Sequence, residues 1–229
     1  MRFLCLPGAY GSSDKFQVQL APIVKELTED GTATFHFIHG PCKAVPPEGF
    51  EEYFGKPPYY RFIEPDQDVE KTEDDDVLAR IRDFPDCESP EDTMRELMRE
   101  GVATSHRSTD NALKYLIKIM DEQTLQEKGI KPMFKYAIFF AGWPPVDPDT
   151  HHMILSDESD VMIEIPTCHI IGSLDPYVHG SLALYNVCDP DTAYLFDHAK
   201  GHTLPRDKET VKELADVIRD AACLYEIHA

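Results

Sequence analysis

A carboxylate and an imidazole occupy matching places after two apolar, strand-like runs of the chain. Asp175 follows the run Thr167–Ile171 and a short turn, and His202 follows the run 194–196, directly after Gly201. The loops that leave the carboxyl ends of parallel strands meet at one edge of a sheet. A carboxylate that orients an imidazole there makes it a general base for a nucleophile. We therefore predict catalytic roles for Asp175 and His202, although a turn aspartate before Pro176 is the other interpretation of Asp175.

The first turn of the chain offers backbone groups rather than a reactive side chain. The sequence Pro7-Gly8-Ala9-Tyr10-Gly11 follows an initial apolar run. Backbone N–H groups at such a turn stabilise the negative charge that develops on a tetrahedral intermediate. Ala9 and Tyr10 are the candidate oxyanion donors. Phosphate binding is the alternative, but the glycine spacing matches neither G-x-G-x-x-G nor a P-loop lysine motif.

The sequence offers weak candidates for a metal or redox site. His198 and His202 have the spacing of a helical zinc pair, but Gly201 between them disfavours the helix that such a pair requires. We interpret the acidic residues 67–76 as a solvated loop. The six cysteines include no CxxC pair, so reduced thiols are expected, with Cys5 and Cys168 in the core. We therefore expect no metal and no other cofactor.

Strand-like and helix-like patterns alternate along the chain. Strands are predicted over residues 1–6, 34–38, 135–141, 167–171 and 194–196, with 135–141 fully buried. Helices are predicted over 14–27, from Ser89-Pro90 to about 122 with a second start near 105–111, and over 208–225. Residues 40–65 show no period and are expected to form a long loop. The pattern predicts one α/β domain over 1–229, with a mostly parallel sheet and helices on both faces.

Composition excludes several classes of protein. Hydrophobic residues make up 42% and charged residues 28%, which is typical of a globular domain. The net charge of -20 argues against a nucleic-acid partner. No apolar run approaches the roughly 20 residues of a membrane span, and the first residues lack the pattern of a signal peptide. We expect a cytoplasmic enzyme without a membrane partner.

Several segments together resemble a known family. They are LCLPGAYGSSDKFQVQL, PPYYRFIE, KYAIFFAGWPP, IPTCHIIGSLDPYV and GHTLPR. With these segments the sequence resembles the fungal serine hydrolase family FSH, whose members are α/β-hydrolases and include esterases and thioesterases. The resemblance implies an α/β-hydrolase-like fold and hydrolysis of an acyl or polyketide ester or thioester in secondary metabolism. The expected substrate is a small molecule or a carrier-bound acyl group.

The serine motif that this family uses is absent. No G-x-S-x-G pentapeptide occurs in the 229 residues, although that motif lifts the nucleophilic serine onto a strand–helix turn. Ser105 or Ser108 are weak substitutes, and a helix cap by Ser108 or Thr109 is favoured there. We infer instead that a strand–elbow–helix block of roughly 25 residues is missing, which would leave neighbouring strands without ladder partners. A catalytically silent relative that acts as a binding or interaction protein is therefore the alternative function.

Overall fold

The chain groups into two compact units. The computed structural model describes residues 1–29, 31, 33–46, 54–64, 77–99, 105–125 and 134–226. Unit 1 comprises Met1–Pro65, Thr104–Met133 and Arg206–Cys223, and unit 2 comprises Asp66–Ala103, Phe134–Pro205 and Leu224–Ala229. The single domain predicted for residues 1–229 stays a prediction.

The amino-terminal part of unit 1 is a strand–helix–strand segment. Strand β1 (Arg2–Cys5) pairs in parallel with β2 (Thr34–Phe37), and helix α1 (Ser13–Thr28) connects them. Ser12 caps α1 because its hydroxyl oxygen accepts the N–H of Lys15 at 3.3 Å. All three elements match the sequence prediction within a residue or two. The predicted alternation of strand and helix is therefore correct here.

The region predicted as a long loop contains a pair of short strands. Strand β3 (Cys42–Ala44) runs antiparallel to β4 (Tyr59–Arg61), so the prediction for residues 40–65 was wrong at these six positions. Three-residue strands are too short to show an alternating pattern in the sequence. Gly40 precedes β3 at a close approach, because a Cβ atom there would lie 2.1 Å from the carbonyl oxygen of Arg61. Only glycine lets the two backbones come so near.

Two long helices complete unit 1. Helix α4 spans His106–Leu125, and α6 spans Lys208–Glu226 with most of its length in this unit. The buried face of α6 carries Val211, Leu214, Ala215 and Ile218, as its sequence pattern predicted. Arg219 donates from Nη2 to the carbonyl oxygen of Glu26 at 2.7 Å and so ties α6 to the end of α1.

Unit 2 is built on a three-stranded parallel sheet. The strands are β5 (Ala137–Phe140), β6 (Thr167–Ile171) and β7 (Ala193–Asp197), in the order β5-β6-β7. All five residues of the central strand β6 are buried. The full burial predicted for 135–141 was wrong, since β5 is only half-buried and pairs on one side among the described strands. Helices α2 (Val77–Arg82) and α5 (Val178–Asn186) were not predicted.

Helix α3 (Pro90–Leu97) is anchored by a buried carboxylate in its first turn. Ser89 caps it by accepting the N–H of Asp92 at 3.0 Å. Glu91 is 7% exposed, and its Oε1 accepts hydrogen bonds from Ser156 at 2.8 Å and from Asn186 at 2.7 Å. A buried carboxylate is tolerated only with such partners. The apolar side of α3 packs Met94 and Leu97 against Leu155 and Ala183.

The predicted α/β class with mostly parallel strands is confirmed. Helices on both faces of a common sheet stay a prediction. The predicted loss of a strand–elbow–helix block concerns the chain between α4 and β5, where residues 126–133 lie outside the described residues.

Among the helices that the structure describes, none is long and apolar enough to cross a membrane.

Candidate active site

The acid and the base predicted from the sequence lie in hydrogen-bond contact. The Nδ1 atom of His202 is 2.7 Å from Oδ2 of Asp175. The contact arises because β6 and β7 are neighbours in a parallel sheet, in register from Thr167 with Ala193 to Ile171 with Asp197. The loops that follow the two strands therefore leave the same edge. Each loop contributes one member of the pair.

The two loops are joined along their backbones. Asp197, the last residue of β7, accepts the N–H of Ser173 at 2.9 Å and that of Ala199 at 2.7 Å, both on Oδ1. The N–H of Leu174 donates to the carbonyl oxygen of Lys200 at 3.0 Å. A Cβ atom on Gly172 would lie 2.1 Å from that same oxygen. Glycine at 172 is therefore required for the contact between the loops.

Asp175 is buried, whereas His202 faces solvent on one side. Side-chain exposure is 3% for Asp175 and 54% for His202. The second carboxylate oxygen, Oδ1, accepts the backbone N–H of Tyr177 at 2.8 Å. The ring of Tyr177 meets the imidazole edge-on, with 5.3 Å between the centroids. Both oxygens of Asp175 are thus engaged, and the ring plane of His202 is fixed from two directions.

The pair has the electrostatics of an oriented base. The hydrogen bond that His202 makes to the Asp175 carboxylate raises the pKa of His202 above its ordinary value, against the opposing effect of burial. A carboxylate can only accept, so the neutral imidazole carries its proton on Nδ1 and leaves a lone pair on Nε2. That lone pair can take a proton from a nucleophile.

His198, which directly follows β7, is a second and buried histidine in the same loop as His202. It is 7% exposed, and its Nδ1 has no hydrogen-bond partner among the described residues. Burial lowers the pKa of His198, which favours the neutral ring. In the described part of the chain, no group of three or more metal-binding side chains comes together.

The predicted oxyanion donors belong to unit 1. Tyr10 has a left-handed backbone with φ of 63°, and its N–H donates to the carbonyl oxygen of Tyr60 at 2.8 Å. Its amide is therefore already used in this structure, and an oxyanion could bind it only if that bond were broken. The oxyanion roles of Ala9 and Tyr10 stay predictions.

Ser105 and Ser108 hold structural positions at the start of α4. Ser105 accepts the N–H of Ser108 at 3.4 Å, so Ser105 caps the helix rather than Ser108 or Thr109. Ser108 is 6% exposed, and its Oγ accepts the N–H of Glu64 at 2.8 Å. Ser108 lies inside the helix and so is not placed as a nucleophile elbow, whereas residues 100–104, which precede Ser105, lie outside the described residues.

Sequence reasoning missed the residues that hold the pair in place. Tyr177 and Asp197 do so through their contacts with Asp175 and with the loop backbones. Asp197 had a signal in the sequence, since it ends an apolar strand one residue before the histidine loop. Sequence reasoning also missed a contact in unit 1 between Ser13 Oγ and His39 Nδ1, at 3.1 Å.

Comparison with known proteins gives a consistent result. A family model described as "Serine hydrolase (FSH1)" matches residues 1–214. Esterase FPY3 of Fusarium mangiferae is 26% identical over 225 residues, covering 95% of each chain. Esterase FUS5 of Gibberella fujikuroi is 26% identical over 226 residues, covering 95% of this chain and 85% of that protein. Hydrolase phiM of Talaromyces stipitatus is 25% identical over 227 residues, covering 93% of this chain and 84% of that protein.

A solved structure gives a more distant match. A single-substitution variant of SOBER1 from Arabidopsis thaliana aligns over 97% of this chain and 100% of that chain, with 14% identity and a TM-score of 0.45. That likeness is too low to bear on the fold.

Proposed function

This chain belongs to the serine hydrolase (FSH1) family, and from that premise we propose that it is an esterase or thioesterase of fungal secondary metabolism. The proposed substrate is an acyl or polyketide ester or thioester, either as a small molecule or bound to a carrier. The observation that supports the proposal best is the 2.7 Å contact between His202 Nδ1 and the buried Asp175. Such a pair serves acyl transfer and requires no cofactor.

In the proposed reaction, His202 is the general base and Asp175 its orienting partner. The Nε2 lone pair removes the proton of the attacking group, and the resulting imidazolium returns it to the leaving alcohol or thiol. The ionised Asp175 stabilises the imidazolium and holds the required tautomer. As donors to the developing negative charge we propose the backbone N–H groups of Ala9 and Tyr10, on the ground of their place in the first turn of the sequence alone.

Hydrolysis of p-nitrophenyl acyl esters tests this function. Turnover should fall about 10³–10⁴-fold in His202→Ala, since triad members act as a unit. His152→Ala is the matched control, because His152 is an exposed histidine of the same unit. Equal hydrolysis by wild type and His202→Ala would refute the role of His202. A series of p-nitrophenyl esters and acyl thioesters then defines the substrate class.

A silent relative is the second candidate. The observation that favours it is the missing G-x-S-x-G pentapeptide. Such a protein would keep an acyl-binding surface and act by binding or by association with another subunit. Turnover indistinguishable from the uncatalysed rate, together with measurable binding of a non-hydrolysable acyl thioester, would favour this candidate over the enzyme.

A further inference from the structure

We infer that Ser13 is a nucleophilic serine and that His39 is its base, forming a hydrolytic centre within unit 1. Ser13 Oγ lies 3.1 Å from His39 Nδ1, which is hydrogen-bond distance for proton transfer. The inference goes beyond the proposed function, because it requires neither Asp175 nor His202. It concerns the one component that the family motif would have supplied, which is an activated hydroxyl.

Most serines of the chain are engaged in ways that exclude a nucleophilic role. The sequence holds nine serines, and the structure describes all of them. Three cap helices, with their hydroxyl oxygens accepting backbone N–H groups: Ser12, Ser89 and Ser105. A fourth, Ser108, is buried and accepts a backbone N–H. Among the described residues, none of these four hydroxyls lies against an imidazole, so none has an adjacent base.

The remaining serines leave one candidate. Ser156 donates to Glu91, Ser159 accepts the N–H of Val161, Ser173 is hydrogen-bonded to Asp197, and Ser181 is 2% exposed inside α5. In the described part of the chain, Ser13 alone has its hydroxyl against an imidazole. It is also only half-buried, so a substrate can reach it.

Three contacts hold His39 in position. Its ring stacks on Tyr60, with 3.9 Å between centroids and 23° between planes. Its carbonyl oxygen accepts the hydroxyl of Tyr115 at 3.1 Å. The next residue, Gly40, is pressed against the backbone of Arg61. These contacts fix the position of the ring from its face and its backbone.

Ser13 lies in the first turn of a helix, beside a carboxylate. Ser13 is the first residue of the 16-residue helix α1. The N–H groups at the start of a helix have no intrahelical partners, and the helix dipole stabilises negative charge there. A developing alkoxide on Ser13 therefore lies at the favourable end of α1, whereas the carboxylate of Asp14, whose Oδ1 accepts the Ser13 hydroxyl at 3.5 Å, opposes its charge. This supports the inference only together with the contact to His39.

The reaction at this centre balances without a co-reactant other than water. Ser13 Oγ adds to the ester carbonyl carbon while its proton moves to His39 Nδ1. The bond to the leaving alcohol then breaks, and the alcohol takes that proton. Water adds to the acyl-serine with His39 as base, the bond between the acyl carbon and Ser13 Oγ breaks, and the acid leaves as Ser13 regains its proton.

Labelling with an alkyl fluorophosphonate tests the inference. Mass spectrometry of the tryptic peptide 3–15 should place the adduct on Ser13, and Ser13→Ala should abolish it. Ser12→Asp is the matched control, because aspartate also caps helices and the neighbouring Ser13 is kept. His39→Gln should slow labelling about 10²–10⁴-fold.

The outcomes separate this inference from the proposed function. Labelled Ser13 with turnover that depends on Ser13 but survives His202→Ala supports the inference and refutes the role of His202. Turnover that depends on His202 while Ser13 stays unlabelled overturns the inference alone. An adduct on any other residue, or unchanged labelling in His39→Gln, also overturns it. The position of the adduct on the wild-type protein needs no variant, so a misfolded variant cannot obscure that result.

Discussion

In unit 1 a histidine faces a hydroxyl, whereas in unit 2 a histidine faces a carboxylate. The Nδ1 atom of His39 contacts the hydroxyl of Ser13, and the Nδ1 atom of His202 contacts the carboxylate of Asp175. The first is a base with a nucleophile but, among the described residues, without an orienting acid. The second is an oriented base whose nucleophile is unassigned. The position of a histidine ring can thus be fixed by ring stacking and backbone contacts as well as by a carboxylate.

The largest expected effect comes from removing the charge of the orienting acid. Asp175→Asn should lower ester hydrolysis about 10³–10⁴-fold, because the wrong tautomer of His202 is favoured. The raised pKa of His202 should fall, so the acidic limb of the pH–rate profile should move to lower pH. Steady-state kinetics across pH measures both effects. The exposed Asp191→Asn is the control, and unchanged labelling of Ser13 would sharpen the contrast between the units.

Two glycines provide a matched test of how each histidine is held. A Cβ atom at Gly40 or at Gly172 would lie 2.1 Å from a backbone carbonyl oxygen, that of Arg61 or Lys200. Each alanine variant should lower the free energy of unfolding by about 2–4 kcal/mol. Gly40→Ala should slow the labelling of Ser13, and Gly172→Ala should slow turnover that depends on His202.

Gly201→Ala is the control for both variants, since its Cβ atom would meet only an ordinary contact at 3.6 Å. Urea denaturation measures the stabilities. Equal stability of Gly172→Ala and Gly201→Ala would show that the close approach between the loops is wrong.

A buried histidine in β6 should make stability depend on pH. Burial lowers the pKa of His169 to about 4, and the residue is 1% exposed. The unfolded chain binds a proton near the ordinary value of 6.5, so the folded state binds fewer protons between the two values. Stability should therefore fall as pH decreases from 6.5 to about 4, by about 3 kcal/mol at most. His169→Gln should remove this slope in urea denaturation, whereas the exposed His36→Gln in β2 should preserve it.

The smallest effect is expected at the start of α4. Ser105→Ala should cost about 1 kcal/mol of stability, because it removes the helix cap. It should leave both ester hydrolysis and the labelling of Ser13 unchanged. Thermal denaturation together with the labelling assay measures this. Lost labelling in Ser105→Ala would point to this segment, instead of Ser13, as the source of the nucleophile.

Periodic elements and residues tied to them were predictable from the sequence. Strands β6 and β7 have clear apolar runs, so the placement of Asp175 and His202 after them followed from sheet geometry. Strands β3 and β4 are three residues each and carry no period. The contact between Ser13 and His39 joins positions 26 apart in different element types, and no local spacing rule encodes such a contact.

The buried carboxylate of Glu91 bears on how the protein is made at the ribosome. Its partners Ser156 and Asn186 lie 65 and 95 residues later in the chain. The anchoring of α3 therefore waits until most of the polypeptide has emerged from the exit tunnel, since contacts distant along the chain form late. The strand pairing of the β1–α1–β2 segment, by contrast, lies within the first 37 residues and can form earlier in synthesis.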